Sequence, residues 1–109
     1  MTWRVSFSKK AEKDREHLSG NERKEVYKAI AKVSSNPVSI YEGGYGHPLG
    51  KIGEIDLRGC YKIKLKKLGI RVVYELIVLD SEMLIIVIGA RKGDDVYEEA
   101  FKRRNNGAE

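Results

Sequence analysis

The segment from residue 58 to 74, RGCYKIKLKKLGIRVVY, constrains the fold of this chain more than any other feature. Polar and apolar residues alternate along it with period two on both sides of a turn near Gly69, which predicts two adjacent β-strands, 60–65 and 70–79. Six of the chain's 21 lysines and arginines fall in this segment, and no acidic residue does. They are Arg58, Lys62, Lys64, Lys66, Lys67 and Arg71. The rest of the chain, with 15 basic and 16 acidic residues, is nearly balanced, so the net charge of +5 predicts a local polyanion site on a rigid sheet.

The rest of the chain predicts an α+β fold with the order β-α-α-β-β-β-α. A strand over 2–7 precedes a helix from Ser8 to about Leu18, and a second helix opens at the capping-box spacing of residues 19–22 and ends before Pro37. A third long strand covers 83–91, and a final helix opens at Asp95. We therefore expect an antiparallel sheet covered by a helical hairpin, with a short C-terminal helix. Residues 1–109 form a single domain at this length, with a frayed tail over 105–109.

The segment 37–57 has no clean periodicity and contains five glycines and a second proline. It predicts a long, glycine-rich loop of the kind that is functional or mobile. Tyr41, Tyr45 and His47 can stack on bases there, but we favour the simpler interpretation that they cover the sheet edge. We interpret both histidines, His17 and His47, as solvated residues outside the cationic set.

Several classes of protein are disfavoured by what the chain contains. Its one cysteine, Cys60, excludes an internal disulfide and a metal site built from several cysteines, and we expect this thiol to be a small strand residue. The most apolar run, 83–88, is too short to span a bilayer, and the first residues do not resemble a secretory signal. We therefore expect a cytoplasmic protein with no membrane partner.

The first predicted hairpin presents its cations on one face. Lys62 and Lys64 point away from the apolar side chains between them. A turn of two or of four residues puts Lys64 and Arg71 on the same face, and a turn of four places them directly opposite each other. Like charges opposed across a sheet are destabilising, and such a cost persists more easily where an anion relieves it. The alternative is that the lysines only protect a strand edge from pairing. That alternative explains Lys66 and Lys67, near the turn, better than it explains the other three.

Three motifs in the chain carry a resemblance to a known family. They are GCYKIKL at 59–65, GIRVVY at 69–74, and VIGAR at 87–91 followed by Val96 and Tyr97. With them, nearly the whole chain resembles the RelE/ParE superfamily of bacterial type II toxins, and within it the RelE-like branch, whose members cut messenger RNA in the ribosomal A site. The resemblance implies a ribosome-dependent mRNA endoribonuclease without a metal or other cofactor. It also implies a cognate antitoxin, and the ribosome, messenger RNA and ribosomal RNA as further partners.

The family's catalytic roles fall on residues that are all present in this chain. These residues are Lys62, Lys64, Arg71, Arg91 and Tyr97. We expect a second set to bind RNA, namely Arg58, Lys66, Lys67 and Lys92. Tyr97 has a competing interpretation, since it can simply belong to the core face of the last helix.

Metal-free RNA cleavage proceeds when a 2′-hydroxyl attacks the adjacent phosphate and leaves a 2′,3′-cyclic phosphate and a 5′-hydroxyl. The step needs a proton acceptor, cations on the phosphorane and a proton donor to the leaving oxygen. Arg71 and Arg91 suit the phosphate, and Lys62 or Lys64, crowded by other cations, can accept the proton. The acid stays open, because an arginine is a poor proton donor. Without a histidine base the isolated protein should cut RNA poorly, and a ribosome that orients the substrate can supply the missing rate.

Two alternatives come from other functional classes. A ParE-like toxin would bind DNA gyrase and cut no RNA, but that mode does not require the cluster of Lys62, Lys64 and Arg71. A non-catalytic RNA-binding module would lose affinity in step with each charge removed, and it would have no cleavage to lose.

Overall fold

The computed structural model describes residues 3–90 and 95–106, and for Ala90 and Asp95 it describes the backbone only. The helices in this part of the chain are α1 (Lys9–Glu16), α2 (Gly20–Ser34) and α3 (Asp95–Asn105). The strands are β1 (Arg4–Phe7), β2 (His47–Pro48), β3 (Lys51–Ile52), β4 (Ile55–Asp56), β5 (Cys60–Leu65), β6 (Ile70–Ile77) and β7 (Glu82–Ala90). None of the described helices is long and apolar enough to cross a membrane. The α+β class is the one expected from the sequence, and the three short strands β2, β3 and β4 are additional to the predicted element order.

Five strands form one sheet in the order β1-β7-β6-β5-β2, and β3 pairs with β4 in a separate hairpin. β5, β6 and β7 form an antiparallel meander, and β2 adds antiparallel to β5. The prediction of a wholly antiparallel sheet was wrong, since β1 runs parallel to β7. β1 pairs with the last strand and not with a neighbour in sequence, so its direction depends on where the two intervening helices return the chain. No local sequence pattern indicates the direction of β1.

Each of the first two helices begins at the predicted serine cap. Ser8 accepts a hydrogen bond from the backbone N–H of Ala11, and Ser19 and Glu22 form a reciprocal capping box. α2 ends at Ser34, just before the Asn36-Pro37 pair, as the restriction on residues that precede proline predicts. Both helices pack on one face of the sheet.

Alternate strand residues divide the core into two layers. Ile63, Val72 and Tyr74 pack under α1 and α2, with Val26, Ile30 and Val33 as the main helix contributions. Cys60, Val73 and Val87 point to the opposite face, where Val96 and Ala100 of α3 cover them. Because side chains in a strand alternate between faces, Lys62, Lys64 and Arg71 share the face of α3. Arg71 is buried there, Lys62 is half-buried and Lys64 is exposed.

Two boundary predictions need correction. The segment 37–57 was predicted as an unstructured glycine-rich loop, but it contains a 3-10 turn over Ile40–Glu42 and the short strands β2, β3 and β4. Each of these strands has only two residues, so none leaves a periodic signal in the sequence. The predicted frayed tail was wrong at Asn105, which belongs to α3, and at Asn106, whose N–H bonds to the carbonyl of Lys102. Residues 107–109 lie outside the described part.

Candidate nucleic-acid interface and active site

The β5–β6 hairpin sets the geometry of the cationic face. Its turn spans four residues, 66–69, and Gly69 has a φ of 67°, a left-handed conformation that glycine adopts without strain. This turn places Lys64 directly opposite Arg71, and Lys62 opposite Val73. The prediction that Lys64 and Arg71 share a face is confirmed, and of the two turn lengths considered the chain adopts four residues. Lys66 and Lys67 are exposed in the turn itself, so four lysines surround Arg71 at one end of the sheet.

Arg71 is the most constrained member of the set, since only 9% of it is exposed. Its Nη1 donates a 2.6 Å hydrogen bond to the hydroxyl of Tyr97, and its guanidinium carbon lies 5.4 Å from the centre of the Tyr97 ring. Its Nε is buried without a hydrogen-bond partner, and no carboxylate in the described part of the chain pairs with this arginine. A buried guanidinium without a counter-ion is costly, and a bound phosphate relieves that cost.

Tyr97 lies near the start of α3, so the helix determines where Arg71 is held. Its neighbours on the helix, Val96 and Ala100, are buried against the sheet, while Tyr97 is half-buried at the border of that core. The ring packs beside the core, as one interpretation predicted, and the hydroxyl bonds to Arg71, while the catalytic role of Tyr97 stays a prediction.

Arg58 does not lie with the other cations. It precedes β5, at the end of the strand farthest from the Lys64–Arg71 pair. Its guanidinium donates to both carboxylate oxygens of Asp56, at 2.9 and 2.7 Å. The side-chain hydrogen bond in this pair holds the pKa of Asp56 well below its ordinary value and raises the pKa of Arg58. Arg91 and Lys92, the remaining predicted site residues, lie outside the described residues.

Two other side chains on this face, Glu75 and Cys60, have structural roles. Glu75, the one acidic residue on the hairpin, lies 3.5 Å from the guanidinium of Arg104 in α3. Cys60, opposite Glu75, is fully buried, and this burial raises the pKa of its thiol to about 11. A protonated, buried thiol is not a nucleophile at neutral pH, as the sequence predicted.

One residue of this face, His47, was not predicted from the sequence. β2 aligns His47 directly opposite Lys62, and cross-strand partners share a face of the sheet. The prediction that no histidine lies near the cationic set was therefore wrong. A signal was present in the sequence, since a proline following a β-compatible residue is typical of an edge strand. Among residues 3–90 and 95–106, no three histidine, cysteine or acidic side chains are grouped so that they could hold a metal ion.

Comparisons with known proteins agree on one family, although no family model matches the chain. The chain is 31% identical, over 94% of its length and 98% of theirs, to the mRNA interferase toxin RelE of Escherichia coli K12 and to the mRNA interferase RelE of Shigella flexneri. A solved structure of an E. coli RelE variant in the free state superposes with a TM-score of 0.72 at 28% identity, covering 94% of this chain and 98% of that one. A RelE variant in complex with a peptide of the antitoxin RelB gives a TM-score of 0.70 at 27% identity, with 92% and 95% covered. From the identity over nearly the whole of both chains, and from the fold, this chain belongs to the RelE family of toxins.

Proposed function

We propose that this protein is a ribosome-dependent mRNA endoribonuclease, the toxin of a type II toxin–antitoxin system. The observation that carries the proposal is Arg71, buried without a carboxylate partner in the described part of the chain and held by Tyr97 on a face that also bears Lys62 and Lys64. Such a site has the charge and the rigidity to bind a phosphate and is not satisfied without one. The relatives named mRNA interferase support the same activity.

Cleavage proceeds by attack of the RNA 2′-hydroxyl on the adjacent phosphate, which forms a 2′,3′-cyclic phosphate and releases a 5′-hydroxyl. Arg71 binds the phosphate and stabilises the charge that builds on it in the transition state. Lys62 or Lys64 accepts the proton of the 2′-hydroxyl, and Tyr97 orients the guanidinium of Arg71. Arg91 supplies a second guanidinium in this scheme. Lys66 and Lys67, with Lys92, contact the RNA backbone outside the reacting phosphate. Arg58, paired with Asp56 at the far end of β5, has no part in this scheme.

The ribosome supplies the positioning that the isolated face lacks. Lys64, Lys66 and Lys67 are exposed, so a free RNA is held there mainly by charge and in many orientations. Holding the 2′-hydroxyl in line with the leaving oxygen is worth several orders of magnitude in rate. A substrate fixed in the A site therefore reacts, whereas the same RNA in solution does not.

An antitoxin that holds this activity in check is part of the proposal. Solved structures of the E. coli RelE toxin include complexes with its antitoxin RelB. For this chain, we expect an acidic or amphipathic segment that lies across the cationic face, because such a segment neutralises the charge that the RNA would otherwise meet.

Primer extension on a messenger bound to purified, programmed ribosomes tests the function. The variants are wild type, Lys64→Ala, and Lys24→Ala as a matched control, since Lys24 is an exposed lysine of α2, on the opposite side of the sheet. We expect cuts confined to the A-site codon, dependent on ribosomes, lost in Lys64→Ala and kept in Lys24→Ala. No cleavage under conditions in which a known A-site toxin cuts would overturn the proposal, and inhibition of gyrase supercoiling would then favour the ParE-like alternative.

A further inference from the structure

The orientation of His47 is fixed by its neighbour Gly46. A Cβ built on Gly46 would lie 2.6 Å from the hydroxyl of Tyr74, 2.9 Å from the ring of Tyr61 and 2.5 Å from the carbonyl oxygen of Pro37. Gly46 therefore faces the core under α2, packed so tightly that no side chain fits there. Because successive residues of an extended strand point to opposite faces, His47 points to the other face, that of the cations.

The register of β2 gives the same result independently. His47 lies opposite Lys62, and Pro48 lies opposite Tyr61, which packs in the core of the α2 face. The imidazole is thus a direct cross-strand neighbour of the Lys62 side chain, with Cβ atoms about 5 Å apart. It is exposed, so it exchanges protons with solvent.

His47 and Arg71 flank the lysines from two sides. β2 and β6 are separated by two strand spacings, and the two residues are offset by two positions along the strands. Ideal strand geometry puts their Cα atoms about 12 Å apart, with Lys64 about 8 Å from His47. A scissile phosphate that contacts Lys64 therefore lies between two groups that can both reach it, the guanidinium of Arg71 on one side and the imidazole of His47 on the other.

We infer that His47 is the general acid of the cleavage reaction, the role that the lysines and arginines leave unfilled. The inference rests on the proposed function. In the reacting step the 2′-oxygen forms a bond to phosphorus, its proton passes to the lysine that acts as base, and the bond from phosphorus to the 5′-oxygen breaks. The imidazolium of His47 gives its proton to that 5′-oxygen, and solvent then restores both groups.

The chemistry of the neighbouring side chains favours this assignment. Arginine does not give up a proton at physiological pH. A phenol ordinarily titrates at about pH 10 and is a much weaker acid than an imidazolium, and the hydroxyl of Tyr97 serves to hold Arg71. Of the side chains found on this face, imidazole is the type best suited to donate a proton near neutral pH. A lysine then remains available as the base.

The test compares two substrates in single-turnover cleavage on programmed ribosomes. One messenger carries the ordinary 5′-oxygen at the cleavage site, and the other carries a bridging 5′-sulfur, whose thiolate leaves without being protonated. The variants are His47→Gln and, as a matched control, His17→Gln, which changes the exposed histidine at the end of α1. With the ordinary messenger, His47→Gln should be about 100-fold slower than wild type, as loss of a general acid predicts, and His17→Gln should be unchanged.

With the sulfur-containing messenger, His47→Gln should cut nearly as fast as wild type. An equal loss on both messengers would assign His47 to binding or positioning and overturn the inference, as would an unchanged rate on the ordinary messenger. Equal urea midpoints for the variant and wild type show that the fold is intact. If wild type cuts neither messenger, the proposed function has failed, and the inference fails with it, a result distinct from a loss confined to His47→Gln.

Discussion

Arg71 is a residue at which stability and anion binding have opposite requirements. Its side chain is buried on the sheet face that α3 borders, yet the partner that it finds in the described structure is the neutral hydroxyl of Tyr97. A neutral acceptor compensates the loss of water only in part, because the guanidinium charge itself stays unneutralised. The hydrogen bond to Tyr97 fixes the direction of the guanidinium, and in the proposed function this orientation suits it to bind a phosphate.

The Tyr97→Phe substitution tests this pairing. It keeps the ring and its packing but removes the acceptor of the Arg71 Nη1 bond, so the free energy of unfolding should fall by about 1.5–3 kcal/mol, the range for hydrogen bonds to charged groups. Urea denaturation measures the change. Tyr41→Phe is the matched control, since that ring is 85% exposed. Equal losses in the two variants would mean that the hydroxyl of Tyr97 contributes nothing to holding Arg71.

Cys60 gives a pH dependence with a defined sign. Burial raises the pKa of its thiol from 9.0 to about 11, so the folded state retains a proton that the unfolded state has lost. This contribution to stability is fully present below pH 9 and is lost as the pH rises towards 11, at up to about 1.4 kcal/mol per unit. Urea denaturation between pH 8 and pH 11 should therefore show a steeper decline for wild type than for Cys60→Ala. Parallel declines would place the thiol in a more polar site than the structure gives it.

At the scale of elements, β7 shows how the sheet protects an edge. β1 pairs only with the first part of β7, through Ile85, and β7 then bulges at Ile86. Beyond Ile85, side chains of α1 and α3 form hydrogen bonds with the backbone of β7 in place of β1. The carbonyl of Ile86 accepts a 2.7 Å bond from Arg103 of α3, and the N–H of Ile88 donates at 3.0 Å to Asp14 of α1. Since Arg103 also donates to Asp14 at 2.8 Å, one side-chain network joins both helices to the uncovered edge.

Arg103→Ala should be among the most destabilising substitutions in α3. Burial opposes the charge of Arg103, but hydrogen bonds to Asp14 and Glu99 outweigh it and raise the pKa of the guanidinium. Its removal takes a charged donor from the carboxylates of Asp14 and Glu99 and from the bulge carbonyl, at a cost of about 2–4 kcal/mol in the free energy of unfolding. Chemical denaturation measures it, with the exposed neighbour Lys102→Ala as control. A loss under 0.5 kcal/mol in Arg103→Ala would show that water replaces the network without cost.

Elements joined by short turns could be predicted from the sequence, and elements joined across the chain could not. β5 and the opposition of Lys64 and Arg71 follow from alternation and a four-residue turn, both local properties. The parallel pairing of β1 with β7 joins residues 78 positions apart, such as Arg4 and Glu82, and the bulge at Ile86 interrupts the β6–β7 register without a sequence signal of its own. His47 escaped for the same reason, since a two-residue strand has no period of its own and takes its register from β5.

At the scale of the whole molecule, the positions of the charged residues matter more for attracting a polyanion than the net charge does. The chain carries a net charge of +5, and four exposed or half-buried lysines of β5 and its turn lie at one end of the sheet around Arg71. α1 and α2 cover the other face and carry eight basic and five acidic residues, so their cations are offset only in part, whereas residues 62–71 contain five cations and no acidic residue. A polyanion therefore meets a field that draws it to the end of the sheet near Lys64.

This asymmetry predicts a difference between two charge-matched double variants. Lys66→Ala/Lys67→Ala removes two cations beside the site, whereas Lys13→Ala/Lys24→Ala removes two exposed cations from α1 and α2. Binding to ribosomes programmed with a messenger that has 2′-deoxyribose at the cleavage site separates affinity from cleavage. The slope of log affinity against log salt should become shallower by about one to two for the first variant, as loss of two phosphate contacts requires, and should not change for the second. Equal changes in slope would mean that the ribosome responds to net charge, and the β5–β6 turn would then have no particular part in docking.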